Sequence, residues 1–341
     1  MFDKTESLNH FTHEVLLLGY LGTLMISNIR TFIEVLKKEG ELREITAAVD
    51  PNLEAAEIHR RVIAEGGPAL LFTNIQGASF PLVTNLFGTQ KRVELAFGKN
   101  PKQIVEGIAK LPEELMPPSL GKLWEKRGLF KQLLKVGMKQ VRPGYTRAES
   151  PVNLESLPLL KTWEEDGGHF VTLPLVYTQH PDTQVHNLGM YRLQRFDAET
   201  TGLHCQIGKG GGFHLAVAQE RNQQLPVTVT IGGPPALILS AIAPLPENVP
   251  ELLLASLVMG GKIKTFRHPA SPYPIVDGAE FVLIGSSDPN EMRPEGPFGD
   301  HYGYYSLKHD YPVFHCHRML HAKNPICTAT VVGKPRQEDF F

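Results

Sequence analysis

Five short segments hold the residue types that polar chemistry needs. In Asn187-Leu-Gly-Met-Tyr-Arg192 a carboxamide and a guanidinium lie five positions apart. On a strand that odd spacing sends them to opposite faces unless the chain bends near Gly189. Asn187 can offer an oxygen to a metal, and Arg192 can grip a carboxylate with two parallel hydrogen bonds. A structural arginine paired with a surface acid would look the same. In Pro294-Glu295-Gly-Pro-Phe-Gly-Asp300-His301 two carboxylates bracket a stiff turn, which holds them in fixed relation as general acid–base chemistry requires. Surface turns share that composition. The glycine-rich runs 208–212 (GKGGG) and 231–235 (IGGPP) can turn successive backbone N–H groups toward a phosphate. Neither matches a Walker A loop or a GxGxxG opening a helix, and hairpin turns are the simpler reading. Last, His315-Cys316-His317 with His321 resembles a metal site. No second ligand cluster with zinc spacing accompanies it, so a buried strand with satisfied histidines is favoured.

The elements that must position these residues fall into two patterns. Ile29, Phe32, Ile33 and Leu36 recur at i, i+3, i+4 and i+7, predicting an amphipathic helix closed by Gly40. A strand is expected at ELREIT and a helix opening at Asp50-Pro51, then strands at PALLFTNI and PLVTNLFG and helices over 90–97 and 101–111. This alternation describes a small α/β domain over residues 26–115. Beyond about residue 150 short β-rich runs dominate, separated by Gly, Pro and Asp turns, with one helix at 251–261. Gly (31) and Pro (27) together form about 17% of the 341 residues, above the usual ~12%, as many turns require. Between the two regions, residues 122–147 hold eight Lys/Arg and one Glu interleaved with apolar residues. A helical linker over 116–150 is the favoured reading, and peripheral contact with anionic lipid is the alternative.

Charge and cysteine usage narrow the class. With 34 Lys+Arg against 36 Asp+Glu the net charge is −2, so a dedicated nucleic-acid binder is excluded. Three cysteines without CxxC spacing suit a reducing cytoplasm. No run of 18 apolar residues exists. The apolar stretch Val15 to Met25 has an acidic flank and no A-x-A site, so residues 1–25 are taken as an extension ahead of a natural start at Met25.

Read in order, NLGMYR (187–192), ELLLASL from Glu251, AEFVLIG (279–285), PEGPFGDHYGYY (294–305) and TVVGKPRQED (330–339) resemble the UbiD family of non-oxidative decarboxylases over about residues 26–341. The resemblance implies an α+β fold, an N-terminal α/β domain (26–115) followed by a split β-barrel, flavin reductase-like domain (151–330). Residues 331–341 would begin the connection to a C-terminal domain that this chain is expected to lack. It also implies prenylated FMN made by a partner flavin prenyltransferase, a divalent metal (usually Mn2+) and often K+. The expected substrate is an aromatic acid such as 4-hydroxy-3-polyprenylbenzoate of ubiquinone or menaquinone synthesis. Homo-oligomers are expected where the C-terminal domain is present.

Carried onto this sequence, the family's metal ligands fall at Asn187 and Glu251, and the arginine that contacts the substrate carboxylate at Arg192. The paired acids fall at Glu295 and Asp300, with Asp300 as proton donor. Cofactor contacts fall at Asn187, Leu188, Gly189, Met190, Arg192, Lys209 and Gly210, and backbone groups of Ser240, Ala241 and Ala243 match the monovalent-ion site. CO2 loss leaves a carbanion, which needs an electron sink that no side chain supplies. The pattern departs at Gly208, where many relatives have a metal-binding His; His204, His214 or water is then expected to substitute. Two other readings stay open: an inactive or subunit-dependent relative, and a plain FMN oxidoreductase that has no need of the Glu295/Asp300 pair.

Overall fold

The computed structural model describes residues 26–98, 136–205, 210–245, 250–335 and 337–338. The extension 1–25, the helix expected over 101–111, the 122–135 part of the basic stretch, Gly208 and Lys209 lie outside the described residues.

Helix α1 (Ile29–Lys38) forms where the periodicity places it. Ile29, Phe32, Ile33 and Leu36 are all buried, Asn28 caps the first turn by accepting from the Thr31 amide at 2.9 Å, and Gly40 follows the end at φ +72°. Strand β1 (Leu42–Ile45) comes next. Helix α2 spans Glu54–Ala64, later than the Asp50-Pro51 signal suggests. Asp50 closes a local turn instead: its carboxylate accepts from the Asn52 amide at 2.7 Å, while its own amide donates to Glu54. Strands β2 (Ala69–Phe72) and β3 (Leu82–Thr84) and helix α3 (Gln90–Phe97) complete the N-terminal region. β1 and β2 run parallel and β2 and β3 antiparallel, and the fourth strand of this sheet is Cys327–Thr328, from near the other end of the chain, parallel to β3.

The described part of the expected helical linker is not helical. Gly137 at φ +103° and Pro143 break the pattern, and Met138–Gln140 and Thr146–Ser150 are strands. The first pairs with Ile263–Phe266; the second joins the large sheet through His309–Ala322.

That seven-stranded sheet is antiparallel throughout. Its order is Thr200–Gly202, His309–Ala322, Phe281–Glu295, Leu225–Ile231, Pro174–Gln179, His186–Gly189, with Thr146–Ser150 as a second neighbour of His309–Ala322. The β-rich half is therefore as expected, but among the described residues no ladder joins the sheet's ends into a closed barrel. Both glycine-rich runs lead into helices rather than hairpins: Gly210–Glu220 (α4) and Pro235–Ser240 (α5). The expected helix at 251 is Glu251–Met259 (α6), ended by Gly260 at φ +67°.

His315 and His317 share no metal face. A register shift leaves His317 as the extra residue of a bulge, exposed and bonded to Ser286 Oγ at 3.1 Å, while His315 pairs with Glu291. Among the described residues no group of three or more His, Cys, Asp or Glu can hold a metal ion.

A buried carboxylate fastens the two regions together. Glu280 of the AEFVLIG segment is fully buried, meets Arg30 of α1 at two 3.3 Å contacts, and accepts from Tyr145 Oη and the Ile326 amide.

Candidate active site

The chain leaves the large sheet after His186–Gly189, and Leu193–Gln194 pairs with Phe170–Val171 instead. A Cβ on Gly189 would lie 2.5 Å from the Tyr191 ring, so a larger residue there would force that ring to move. Arg192 reaches the end of the long Phe281–Glu295 strand. Its Nε donates to Glu295 Oε1 at 2.9 Å and its Nη2 to Oε2 at 3.2 Å, with a further bond from Nη2 to Ser306 Oγ at 2.9 Å. The guanidinium lies over Phe298, 4.4 Å from its centroid, and 5.9 Å from the centroid of Phe170. Nη1 has no partner among the described residues.

Glu295 is fully buried, and His204 Nδ1 lies 3.0 Å from its Oε2. Burial pushes the Glu295 carboxyl up, but the hydrogen bonds from His204 and Arg192 outweigh it and hold the group below the usual glutamate value. Glu295 is thus an ionised anchor that orients Arg192. A Cβ on Gly202 would sit 2.9 Å from Glu295 Cγ, which accounts for glycine at that strand end.

Asp300 does not join this cluster. It stands beyond the short Phe298–Gly299/Tyr305–Ser306 hairpin ladder, and its Oδ1 accepts from the Tyr302 and Tyr304 amides at 2.8 and 3.2 Å. The rim of this loop is exposed and aromatic, with Tyr302 and Tyr304 largely in solvent.

The second grouping lies at the start of α4. A Cβ on Gly210 would fall 2.2 Å from Asn187 Oδ1, and one on Gly211 2.8 Å from the Tyr191 ring. Tyr191 Oη accepts from both the Gly211 amide and Asn187 Nδ2 at 3.1 Å, and no acid occupies the first turn of α4. Backbone amides at a glycine-lined helix start beside a carboxamide suit a phosphate. This fits the phosphate end of FMN.

Glu251 opens α6 against the same strand. Burial raises its carboxyl above the usual range, against its own amide and the Leu188 amide, and no cation pairs with it among the described residues. The oxygens of Asn187 and Glu251 suit a hard divalent ion, though they make only part of a coordination shell. Neither expected substitute completes it. His204 turns to Glu295, and His214 Nδ1 bonds Thr178 Oγ1 at 2.9 Å, its imidazole driven down to about 4 by burial and by His180 and His186. In the segment expected to hold a monovalent ion, Ser240 Oγ donates to Ala236 O, and the Ala243 amide to Ser240 O.

His204, Ser306 and Phe298 around Arg192, and Tyr191 beside Asn187, carry no sequence signal for these particular roles. Tyr191 and Phe298 lie inside the NLGMYR and PEGPFGDHYGYY motifs, and Ser306 directly follows the second of them.

Comparison with known proteins assigns this architecture to a family. Residues 138–335 match the 3-octaprenyl-4-hydroxybenzoate carboxy-lyase Rift-related domain and residues 33–111 the corresponding N-terminal domain, and the chain belongs to the UbiD family. A Chlamydia pneumoniae protein, named as one subunit of a 4-hydroxybenzoate decarboxylase, is 51% identical over 320 residues, covering 93% of this chain and 54% of that one. A Chlamydia caviae relative is 52% identical over 322 residues, 93% of this chain and 55% of its own. The chain thus spans about half the length of these curated relatives. Among solved structures, vanillic acid decarboxylase of Sedimentibacter hydroxybenzoicus in closed form aligns with TM-score 0.77 at 26% identity over 92% of this chain and 65% of that one. The UbiD-class enzyme HmfF of Pelotomaculum thermopropionicum, in an evolved dimeric form in complex with prFMN, aligns at 0.79 with 22% identity, over 92% and 68%.

Proposed function

We propose that this chain carries the acid-recognising and flavin-binding part of a non-oxidative decarboxylase that removes CO2 from an aromatic acid. A 4-hydroxybenzoate bearing a 3-polyprenyl group, as in quinone synthesis, is the substrate put forward. The observation that supports this reading is Arg192: Glu295 fixes one edge of the guanidinium, while Nη1 remains without a protein partner among the described residues. A carboxylate docking there meets a pre-oriented donor beside the Phe298 ring.

Bound prenylated FMN supplies the electron sink for the negative charge left by CO2. The chain's own residues do the rest. Arg192 binds and orients the carboxylate; Phe170 and Phe298 exclude water around it. Asp300, after taking up a proton from solvent, would deliver it to carbon through the oxygen not engaged by the Tyr302 and Tyr304 amides. Gly210, with Leu188, Gly189, Met190 and Lys209, would hold the cofactor, and Asn187 and Glu251 would be protein ligands to Mn2+, which would supply positive charge near the cofactor. Ser240, Ala241 and Ala243 contribute backbone groups to K+. The proposal includes a flavin prenyltransferase as cofactor supplier, self-association, and peripheral membrane contact through the basic stretch 122–147. No helix among the described residues is long and apolar enough to cross a membrane.

Co-expression with a flavin prenyltransferase, in medium containing Mn2+, tests the reading. The purified protein is expected to carry flavin absorbance and to release CO2 from 4-hydroxybenzoates. Protein that stays colourless under those conditions would contradict it.

A further inference from the structure

We infer that His204 is a positioning residue: it holds the Glu295 carboxylate in line with Arg192, so that Nη1 stays presented to the acid substrate. This inference rests on the decarboxylase reading and goes beyond it, because it gives His204 a role other than metal ligation.

Four observations carry it. The His204 amide donates to the Arg192 carbonyl at 3.3 Å, so one backbone contact places both side chains on the same carboxylate. Glu295 Oε1 has Arg192 Nε at 2.9 Å, whereas Oε2 has only the longer 3.2 Å contact to Nη2 and relies on His204 Nδ1 at 3.0 Å for its closer bond. The imidazole is packed 4.2 Å from the Tyr311 ring centroid, with its side chain 12% exposed, so it is fixed rather than free to swing. Finally, Gly202, two residues before His204, gives Glu295 the space it occupies. The Thr-Gly-Leu-His segment is therefore shaped around Glu295 at two positions.

The charged and titratable groups facing Glu295 are Arg192 from the segment after His186–Gly189, His204 from the end of Thr200–Gly202, and Tyr311 from His309–Ala322. With Nδ1–H donating to the carboxylate, Glu295 stays ionised and cannot turn to donate a proton of its own. Removing that donor frees Oε2 to rotate away, and the guanidinium loses its second constraint.

Two substitutions separate the hydrogen bond from the packing. His204→Phe keeps an aromatic ring on Tyr311 and deletes the donor; His204→Asn supplies an amide donor near the Nδ1 position. The full chain, labelled with 13C at glutamate side-chain carboxyls, is titrated by NMR, and Glu295→Gln assigns the resonance. The Glu295 midpoint is expected to rise by about one pH unit in His204→Phe and to stay near wild type in His204→Asn. With flavin bound, CO2 release should fall about tenfold in His204→Phe, its acidic limb moving up with the same midpoint, and recover in His204→Asn. A Glu295 midpoint unmoved in His204→Phe overturns the inference, whatever that variant's thermal stability. So does a His204→Asn variant that titrates like His204→Phe. The carboxyl titration needs no turnover: flavin-loaded wild type that releases no CO2 would refute the decarboxylase reading, while the titration would still decide the His204–Glu295 link.

Discussion

Arg192 commits Nε and Nη2 to Glu295 and Ser306 and leaves Nη1 without a partner among the described residues. Lysine at 192 would keep the charge but lose the planar fork, and with it both the bidentate anchor and the oriented Nη1. Arg192→Lys is therefore expected to lower CO2 release about a hundredfold at matched flavin content, read by steady-state kinetics. Glu338 is a second residue whose surroundings set its chemistry. It is buried, accepts from the Phe87 amide at 2.6 Å and from Thr330 Oγ1 at 2.8 Å, and burial pushes its carboxyl up to about 7 against those bonds and Arg92. Between about pH 4.5 and 7 the folded chain keeps a proton that the unfolded chain has released. This group therefore makes stability fall as pH rises through that window, by on the order of 3 kcal/mol. Urea melts across the window should show a shallower decline in Glu338→Gln. Arg192 and Glu295 are legible in sequence because their types and neighbouring turn residues are distinctive. His204 stands out there for a different role, since which ring nitrogen meets which acid depends on strand pairing between segments about ninety residues apart, which no local pattern encodes. The orientation of Asp300 toward its own loop amides is hidden for the same reason.

At the level of elements, the glycine run before Phe213 illustrates how context selects a structure. Taken alone GKGGG favours a turn, yet packing against Asn187 and Tyr191 turns Gly210–Glu220 into a helix whose start is bare of side chains. Gly211→Ala would drive a methyl to 2.8 Å from the Tyr191 ring, displacing the hydroxyl that the Gly211 amide meets. Flavin uptake in Gly211→Ala is expected to fall at least about tenfold, measured by the flavin-to-protein absorbance ratio, with the circular dichroism spectrum unchanged. The amphipathic helix at 29–38 and the strands of the β-rich half are legible because each has a local period. The strands within 138–150 are not, because their basic and apolar spacing also suits a helix; hydrogen bonds from the Gly144, Tyr145 and Thr146 amides to Asp277 settle the segment as extended.

Across the whole molecule, the two regions are joined by pairing as well as by a linker. Cys327–Thr328 adds the fourth strand to the N-terminal sheet, and the Glu280–Arg30 pair ties α1 to the large sheet. Replacing Arg30 by methionine leaves a fully buried carboxylate with, among the described residues, only Tyr145 and the Ile326 amide as donors. A loss of about 2–4 kcal/mol is expected in denaturant melts, with both regions unfolding at lower urea. The division into an α/β region and a β-rich region is readable from composition and periodicity. The return of a late strand to the first sheet is not, since a two-residue strand has no period. That joint scaffold sets the Arg192–Glu295 pair at one end of the longest strands, and Asn187, five residues before Arg192, against the glycine-lined start of α4. Whether Arg192 presents the acid for decarboxylation is decided by comparing CO2 release from 13C-carboxyl-labelled 4-hydroxybenzoates by wild type and Arg192→Ala, both flavin-loaded to the same level. Labelled CO2 is expected from wild type and at least about a hundredfold less from the variant; equal release by the two proteins, or none from flavin-loaded wild type, would contradict that role.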